Sequence, residues 1–200
     1  MHRLPRLFAA ATLAGLLLVG GCASLPPRGE PTPSRTPETD ASTALARQAR
    51  ADAAGQPAGH SGLRLLMHPQ EALQARLELI SRAQRTLDVQ YYIFEGDETG
   101  TAMLQAQHAA AVRGVRVRLV VGDLQLAGGG PGAPWVQHPP MEVRVFNPLP
   151  ARQGGITTRV LLSLHEFRRI NHRMHNKLLV ADNAFAISGG RNIGDAYFER

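Results

Sequence analysis

Residues 63–200 are predicted to form an α/β fold, for three reasons. Helical and extended patterns alternate along the stretch, and the helical runs are long enough to act as crossovers between parallel strands. With 44% hydrophobic residues in a chain of 200, there is also enough apolar material to bury one core of ordinary size.

The first helix lies in "PQEALQARLELISRAQ", where Pro69 suits the first turn and Leu73, Leu77 and Ile80 recur at helical spacing. "TLDVQYYIF" follows as a strand, with period-two alternation and β-favouring residues. "TGTAMLQAQHAAAVRG" is a helix stopped by Gly114, after which "VRVRLVV" and "MEVRVF" are strands. In "HNKLLVAD" and "NAFAISGG", two β-rich runs flank the turn-prone pair Asp182-Asn183, which predicts a hairpin or tight turn. No internal repeat is visible.

The amino-terminal part has a different texture. "MHRLPR" is a basic lead and "LFAAATLAGLLLVG" an apolar run, shorter than the roughly 20 residues that span a bilayer, so residues 1–21 are an export signal. The run closes in "LVGGC", which resembles the lipobox of bacterial lipoproteins. That resemblance implies diacylglycerol on Cys22, the sole cysteine, and stable anchoring by two or more acyl chains. With one cysteine, an intramolecular disulfide is excluded. Ala23 follows the cysteine where aspartate would imply inner-membrane retention, so the expected site is the periplasmic face of the outer membrane. Residues 22–62, rich in Pro, Ser, Thr, Ala and Gly, are expected to form a flexible tether, with a short helix open as an option between Ala41 and Ala54. The formal charge of +6 includes Arg3 and Arg6 of the signal and is too mild to identify a polyanionic partner.

Of the 22 Lys and Arg residues, Lys177 is the single lysine, two positions after His175. On a strand both side chains point to one face, because side chains alternate. An imidazole beside a compact ammonium suits phosphate. The imidazole attacks phosphorus, and the ammonium meets the charge that grows on the phosphoryl oxygens. The planar fork of arginine is not an equivalent replacement. One lysine must fall somewhere, however, so the weight of this pair rests on its surroundings.

The surrounding pattern is H-x-K, four residues, D, six residues, G-G and then Asn192, and it resembles the signature of the phospholipase D superfamily. "LDVQYYIF", "RGVRVRLVV", "VRVFNP", "RMHNK" and "GGRNIGDAYF" are similar to the bacterial cardiolipin synthases and their lipoprotein relatives, over residues 61–200. The resemblance implies a mixed, largely parallel sheet flanked by helices. It also implies a phosphohistidine at His175, with phosphate oxygens held by Lys177 and Asn192 beside Gly189 and Gly190. Asp182 supports the order of the site. No metal or cofactor is implied, and no His, Cys, Asp or Glu cluster shows metal-ligand spacing.

Several neighbours stay open. Arg168, Arg169, Arg173 and Arg191 form either an anionic-headgroup patch or solvated surface. His172 is expected to face away from the reactive side, and His165 and His138 to lie on the surface. The acidic loop from Glu95 to Glu98 either lines the mouth of the site or is a plain loop. Asp123 in "VVGD" departs from the relatives, where paired acids often stand, which leaves its role open.

Members of the superfamily build the active site from two such motifs, one histidine acting as nucleophile and the other as general acid. This sequence holds one. The expectation is an incomplete domain whose second motif comes from a carboxyl-terminal half or from a homodimer. The function expected is phosphatidyl transfer from phosphatidylglycerol or a related phospholipid, by a lipid-anchored envelope protein. An exported nuclease and a silent lipoprotein are the alternatives, and nucleic acid is not the expected substrate.

Overall fold

The computed structural model describes residues 38–123, 140–151 and 155–199. The expected signal, Cys22 and His138 lie outside them. In chain order the elements are α1 (Ala44–Asp52), α2 (Pro69–Arg82), β1 (Thr86–Tyr91), α3 (Glu98–Val112), β2 (Arg116–Gly122) and β3 (Glu142–Phe146). They continue with α4 (Ile156–Leu162), a 3-10 turn at Leu164–Glu166, α5 (Phe167–Ile170), β4 (Lys177–Ala181), β5 (Phe185–Ser188) and a 3-10 turn at Asp195–Tyr197.

The five strands form one sheet in the order β3-β2-β1-β4-β5. β1 pairs with β2, and β2 with β3, in parallel, whereas β4 runs antiparallel to both β1 and β5. The sheet is therefore mixed, as expected, and its parallel half ends at β1. α3 makes the crossover from β1 to β2, and Gly114, at φ 91°, turns the chain out of it.

Alternation decides the faces. Leu87, Val89 and Tyr91 of β1 are buried, and their register partners on β4 are Ala181, Leu179 and Lys177. With Leu73, Ile80, Met103 and Ala110 of α2 and α3 they make one core. The opposite face is polar. Asp88 and Arg118 stand in register and form an ion pair there, and Arg116 reaches Glu142 at 3.0 Å.

Within the described part of the expected tether, the optional helix between Ala41 and Ala54 forms as α1 and docks on the domain. Thr43 caps α1 by accepting a hydrogen bond from the Ala46 N–H, and Leu45 enters the main core at 0% exposure. Asp40 pairs with Arg85 at 2.8 Å, and Gln84 accepts a hydrogen bond from the Ala44 N–H at 2.6 Å. The composition of the segment is polar on average, but one leucine among small alanines suffices to dock a helix. The exposed connection falls instead between α1 and α2, where Leu63 and Leu65 face solvent. Among the described residues no helix is long and apolar enough to cross a membrane.

Candidate active site

Strands β1, β2 and β3 end where β4 begins, so their carboxyl ends and the His175–Lys177 stretch gather at one end of the sheet. His175 is exposed just ahead of β4, and Lys177 is its first residue. The rings of His175 and Tyr92 lie 5.1 Å apart, and the Lys177 ammonium stands 5.4 Å from the centre of the same Tyr92 ring. Lys177 Nζ also donates to the His175 carbonyl at 3.1 Å. Asn176, between them, donates its amide to Gln90 at 2.8 Å, on the alternate register position. The pair expected from alternation is thus assembled against a single aromatic ring.

Lys177 is 6% exposed, and burial pulls its pKa below the ordinary lysine value. Hydrogen-bonded only to a neutral carbonyl among the described residues, and facing a ring, the ammonium is ready to take up a phosphate oxygen.

Tyr92 was not singled out from the sequence, where "YYIF" reads only as a strand end. Its N–H donates to the Asn176 carbonyl at 3.0 Å, which ties the end of β1 to the start of β4. Gly122 closes the other side. A Cβ there would fall 2.5 Å from the Tyr92 carbonyl oxygen, so only glycine lets β2 pass this close. The signal available in the sequence was a glycine ending an otherwise β-branched run.

Asn192 lies one residue away along the wall. Its side-chain oxygen accepts from the Ile93 N–H at 3.1 Å, and its amide donates to the Tyr197 hydroxyl at 3.0 Å. A parallel bridge between Phe94 and Ile193 continues the seam, with the Glu95 N–H bonded to the Ile193 carbonyl at 2.9 Å. Both ends of the Asn192 amide are thus held, and its second N–H has no partner among the described residues. Gly189 and Gly190 stand in open space at the same end of the hairpin, where a side chain would meet nothing within 4 Å.

Asp182 does not join this group. Four strand residues separate it from Lys177, roughly 16 Å along an extended chain, and its buried carboxylate accepts from three main-chain N–H groups. These are Gln84 at 3.0 Å, Arg85 at 2.7 Å and Thr86 at 3.0 Å. Asp182 and Asn183 both take φ 52° in the hairpin turn, which asparagine and aspartate tolerate. Asp182 thus has a supporting place: it locks the turn to the start of β1 and so orders β4, ahead of which His175 stands.

Of the acidic loop, Asp97 accepts from the Gly100 N–H at 2.9 Å and from the Asp195 N–H, while the Asp195 carboxylate accepts from the Thr99 N–H at 2.8 Å. The loop is thus braced against the segment that follows the motif, with the Glu95 carboxyl packed on Gly194. Asp123 is fully buried and pairs with Arg159 at 3.0 Å, a structural tie between β2 and α4.

The arginines divide. Arg169 bonds the Pro148 carbonyl at 3.0 Å as well as Asn147 and Glu166, and Arg191 bonds the Leu66 and Met67 carbonyls at 3.2 and 2.8 Å. Arg168 is exposed and Arg173 half-buried. A ring nitrogen of His172 lies 2.7 Å from the Arg168 carbonyl, and His165 is exposed beside Glu166, so both act on their own helical segment.

A family model described as "Cardiolipin synthase, PLD-like domain" matches residues 77–200. Cardiolipin synthase C of Escherichia coli K12 is 43% identical over 145 residues, which are 70% of this chain and 29% of that protein. An uncharacterized protein of Helicobacter pylori is 38% identical over 141 residues, 70% of this chain and 28% of its own length. The chain thus spans less than a third of these relatives. Among solved structures, NucT from Helicobacter pylori aligns with a TM-score of 0.48 at 17% identity, covering 67% of this chain and 74% of that one. With the match covering most of the chain, from the middle of α2 through the His175 motif, the protein belongs to the family of the cardiolipin synthase phospholipase D-like domain.

Proposed function

We propose that the chain carries the nucleophilic half of a phosphatidyl transferase of the cardiolipin synthase kind. The donor is phosphatidylglycerol or a related phospholipid, and the acceptor is the alcohol of a second phospholipid. What supports this reading is the exposed His175 imidazole and the buried Lys177 ammonium, both held against the ring of Tyr92.

A nitrogen lone pair of His175 attacks phosphorus, and the bond to the leaving glycerol oxygen breaks. Lys177, with the second N–H of Asn192, holds the phosphoryl oxygens while their charge grows. The departing oxygen takes a proton from a general acid, and the acceptor alcohol then gives its proton to the base so formed as it attacks phosphorus and releases the imidazole. That acid comes from a second motif, because Lys177 is the only lysine and no other histidine here heads an H-x-K pattern. Either a longer chain or a second copy supplies it. Cys22 lipidation would keep the site at the periplasmic face of the outer membrane, where its substrate is concentrated.

Turnover of phosphatidylglycerol in detergent micelles tests the proposal, with light scattering on the same sample. An assembly containing two motifs should release glycerol and form cardiolipin, and His175→Ala should abolish both. A one-motif monomer should lag by about 10²–10⁴, the worth of positioned acid catalysis. Exposed Arg168 and half-buried Arg173 favour a second reading, phosphodiester cleavage in nucleic acid. Steeply salt-dependent cleavage of DNA with no lipid turnover would replace the first reading with the second.

A further inference from the structure

The helical run that leads into His175 turns an apolar edge outward. Inward, α4, the 3-10 turn and α5 bury Arg159, Ser163 and Ile170. Outward, Leu161, Leu162, Leu164 and Phe167 are 61%, 60%, 50% and 56% exposed. Single exposed leucines are ordinary, but four large apolar side chains within residues 161–167 form a patch.

The run is braced rather than loose. Arg159 is tied to buried Asp123 at 3.0 Å, and Arg169 to the Pro148 carbonyl at 3.0 Å. The Asn147 amide donates to the carbonyls of Arg169 and His172, the latter at 2.7 Å. These ties fix the outward edge as the one the fold presents.

Charge then chooses the occupant. Arg168 is exposed directly after the patch and Arg173 follows, and neither is paired with an acid among the described residues. The one carboxylate of the run, Glu166, is taken by Arg169. Leucine and phenylalanine rimmed by arginine, with no free acid, is the composition of a surface that rests on anionic lipid. The apolar side chains enter the acyl boundary and the arginines meet headgroup phosphates. A second copy docking through the same edge would bring its own arginines against these.

We propose that residues 161–168 dock onto an anionic phospholipid bilayer and so set His175 at the depth of the headgroup phosphates. This rests on the lipid reading of the His175 site and adds the surface through which the bilayer is met.

The test uses the full chain with Cys22→Ser, so that an introduced cysteine is the only thiol. One variant adds Leu164→Cys and a second adds Val112→Cys, each labelled with an environment-sensitive fluorophore. Val112 is an equally apolar, 68% exposed control, at the end of α3 and away from the strand ends that carry the site. With phosphatidylglycerol vesicles, the label at 164 should shift to the blue and escape an aqueous quencher, while the label at 112 stays quenchable. Phosphatidylcholine vesicles should give little of either, and Arg168→Gln should weaken association with the anionic vesicles about fivefold. A label at 164 that stays quenchable with anionic vesicles overturns the proposal. So does one already shielded before vesicles are added, which would put a second copy or another part of the chain on this edge.

Phosphoryl transfer from a water-soluble aryl phosphodiester, measured on the same variants, separates the two readings. A shielded label without transfer strikes the reading of His175 alone. An exposed label with transfer strikes the docking edge alone.

Discussion

Replacing Asp182 should cost stability and spare chemistry. Its carboxylate receives three N–H groups, of which that of Thr86 is buried and those of Gln84 and Arg85 are partly so. In Asp182→Ala the Thr86 N–H is left dry, at about 1–3 kcal/mol, while water can reach the other two, at about 0.5–1.5 kcal/mol each. The sum is roughly 2–6 kcal/mol, a large part of the stability of a domain this size. Asp182→Asn keeps an oxygen for the three donors and tolerates the positive φ, so its loss should be about 1–2 kcal/mol. Urea unfolding followed by circular dichroism measures both. Phosphoryl transfer to His175 per folded molecule, read from an aryl phosphodiester, measures the chemistry. A parent-like urea midpoint for Asp182→Ala with transfer abolished would refute the reasoning and place Asp182 in the reaction itself.

Three further outcomes follow from the same geometry. Lys177→Arg should lower phosphoryl transfer by about 10–100-fold despite keeping its charge, measured as initial rate on the aryl diester, because the fork does not fit the ammonium's place. Burial lowers the pKa of Lys177, so its ammonium is lost at a pH below the 10.5 of an ordinary lysine. If the charged form holds the phosphate as proposed, kcat/KM should fall with rising pH through that lowered pKa, a limb that Lys177→Arg lacks. Gly122→Ala must push the Tyr92 carbonyl from a 2.5 Å approach and should reduce transfer more than it lowers the urea midpoint.

Much of the sheet was legible because it rests on local chemistry. The β1 and β2 runs alternate or carry β-branched residues, Gly114 stops α3, and Asp182-Asn183 turns the hairpin, as the residue types require. The direction of β4 was less so, since pairing depends on which strand edge is free, a non-local property. α1 was legible as an optional helix between Ala41 and Ala54, but its docking was not, because that hangs on Leu45 and Ala46 within a polar average.

In the site, His175 and Lys177 were readable from strand alternation, and Tyr92 was not. Its role comes from contacts with residues 83 and 85 positions further along the chain, which no spacing reveals. For Asp182 the motif shows that it belongs to the site's support but not where it stands. A motif places residues together in the alphabet, but five steps along a strand carry the carboxylate to the other end of the sheet. The open question over the arginines was also one of tertiary structure, for Arg169 and Arg191 spend donors on main-chain carbonyls and Arg168, among the described residues, does not.

The most direct test of the account is to trap phosphorus on His175. A p-nitrophenyl phosphodiester supplies a leaving group that departs without protonation, so the nucleophilic step can be seen without a second motif. Rapid quenching and peptide mass spectrometry should find an acid-labile, base-stable phosphoryl adduct on the peptide holding His175. It should be absent in His175→Ala and much reduced in Lys177→Arg. An adduct on another residue, or nitrophenol release by His175→Ala at the parent rate, would contradict the assignment of His175 as nucleophile.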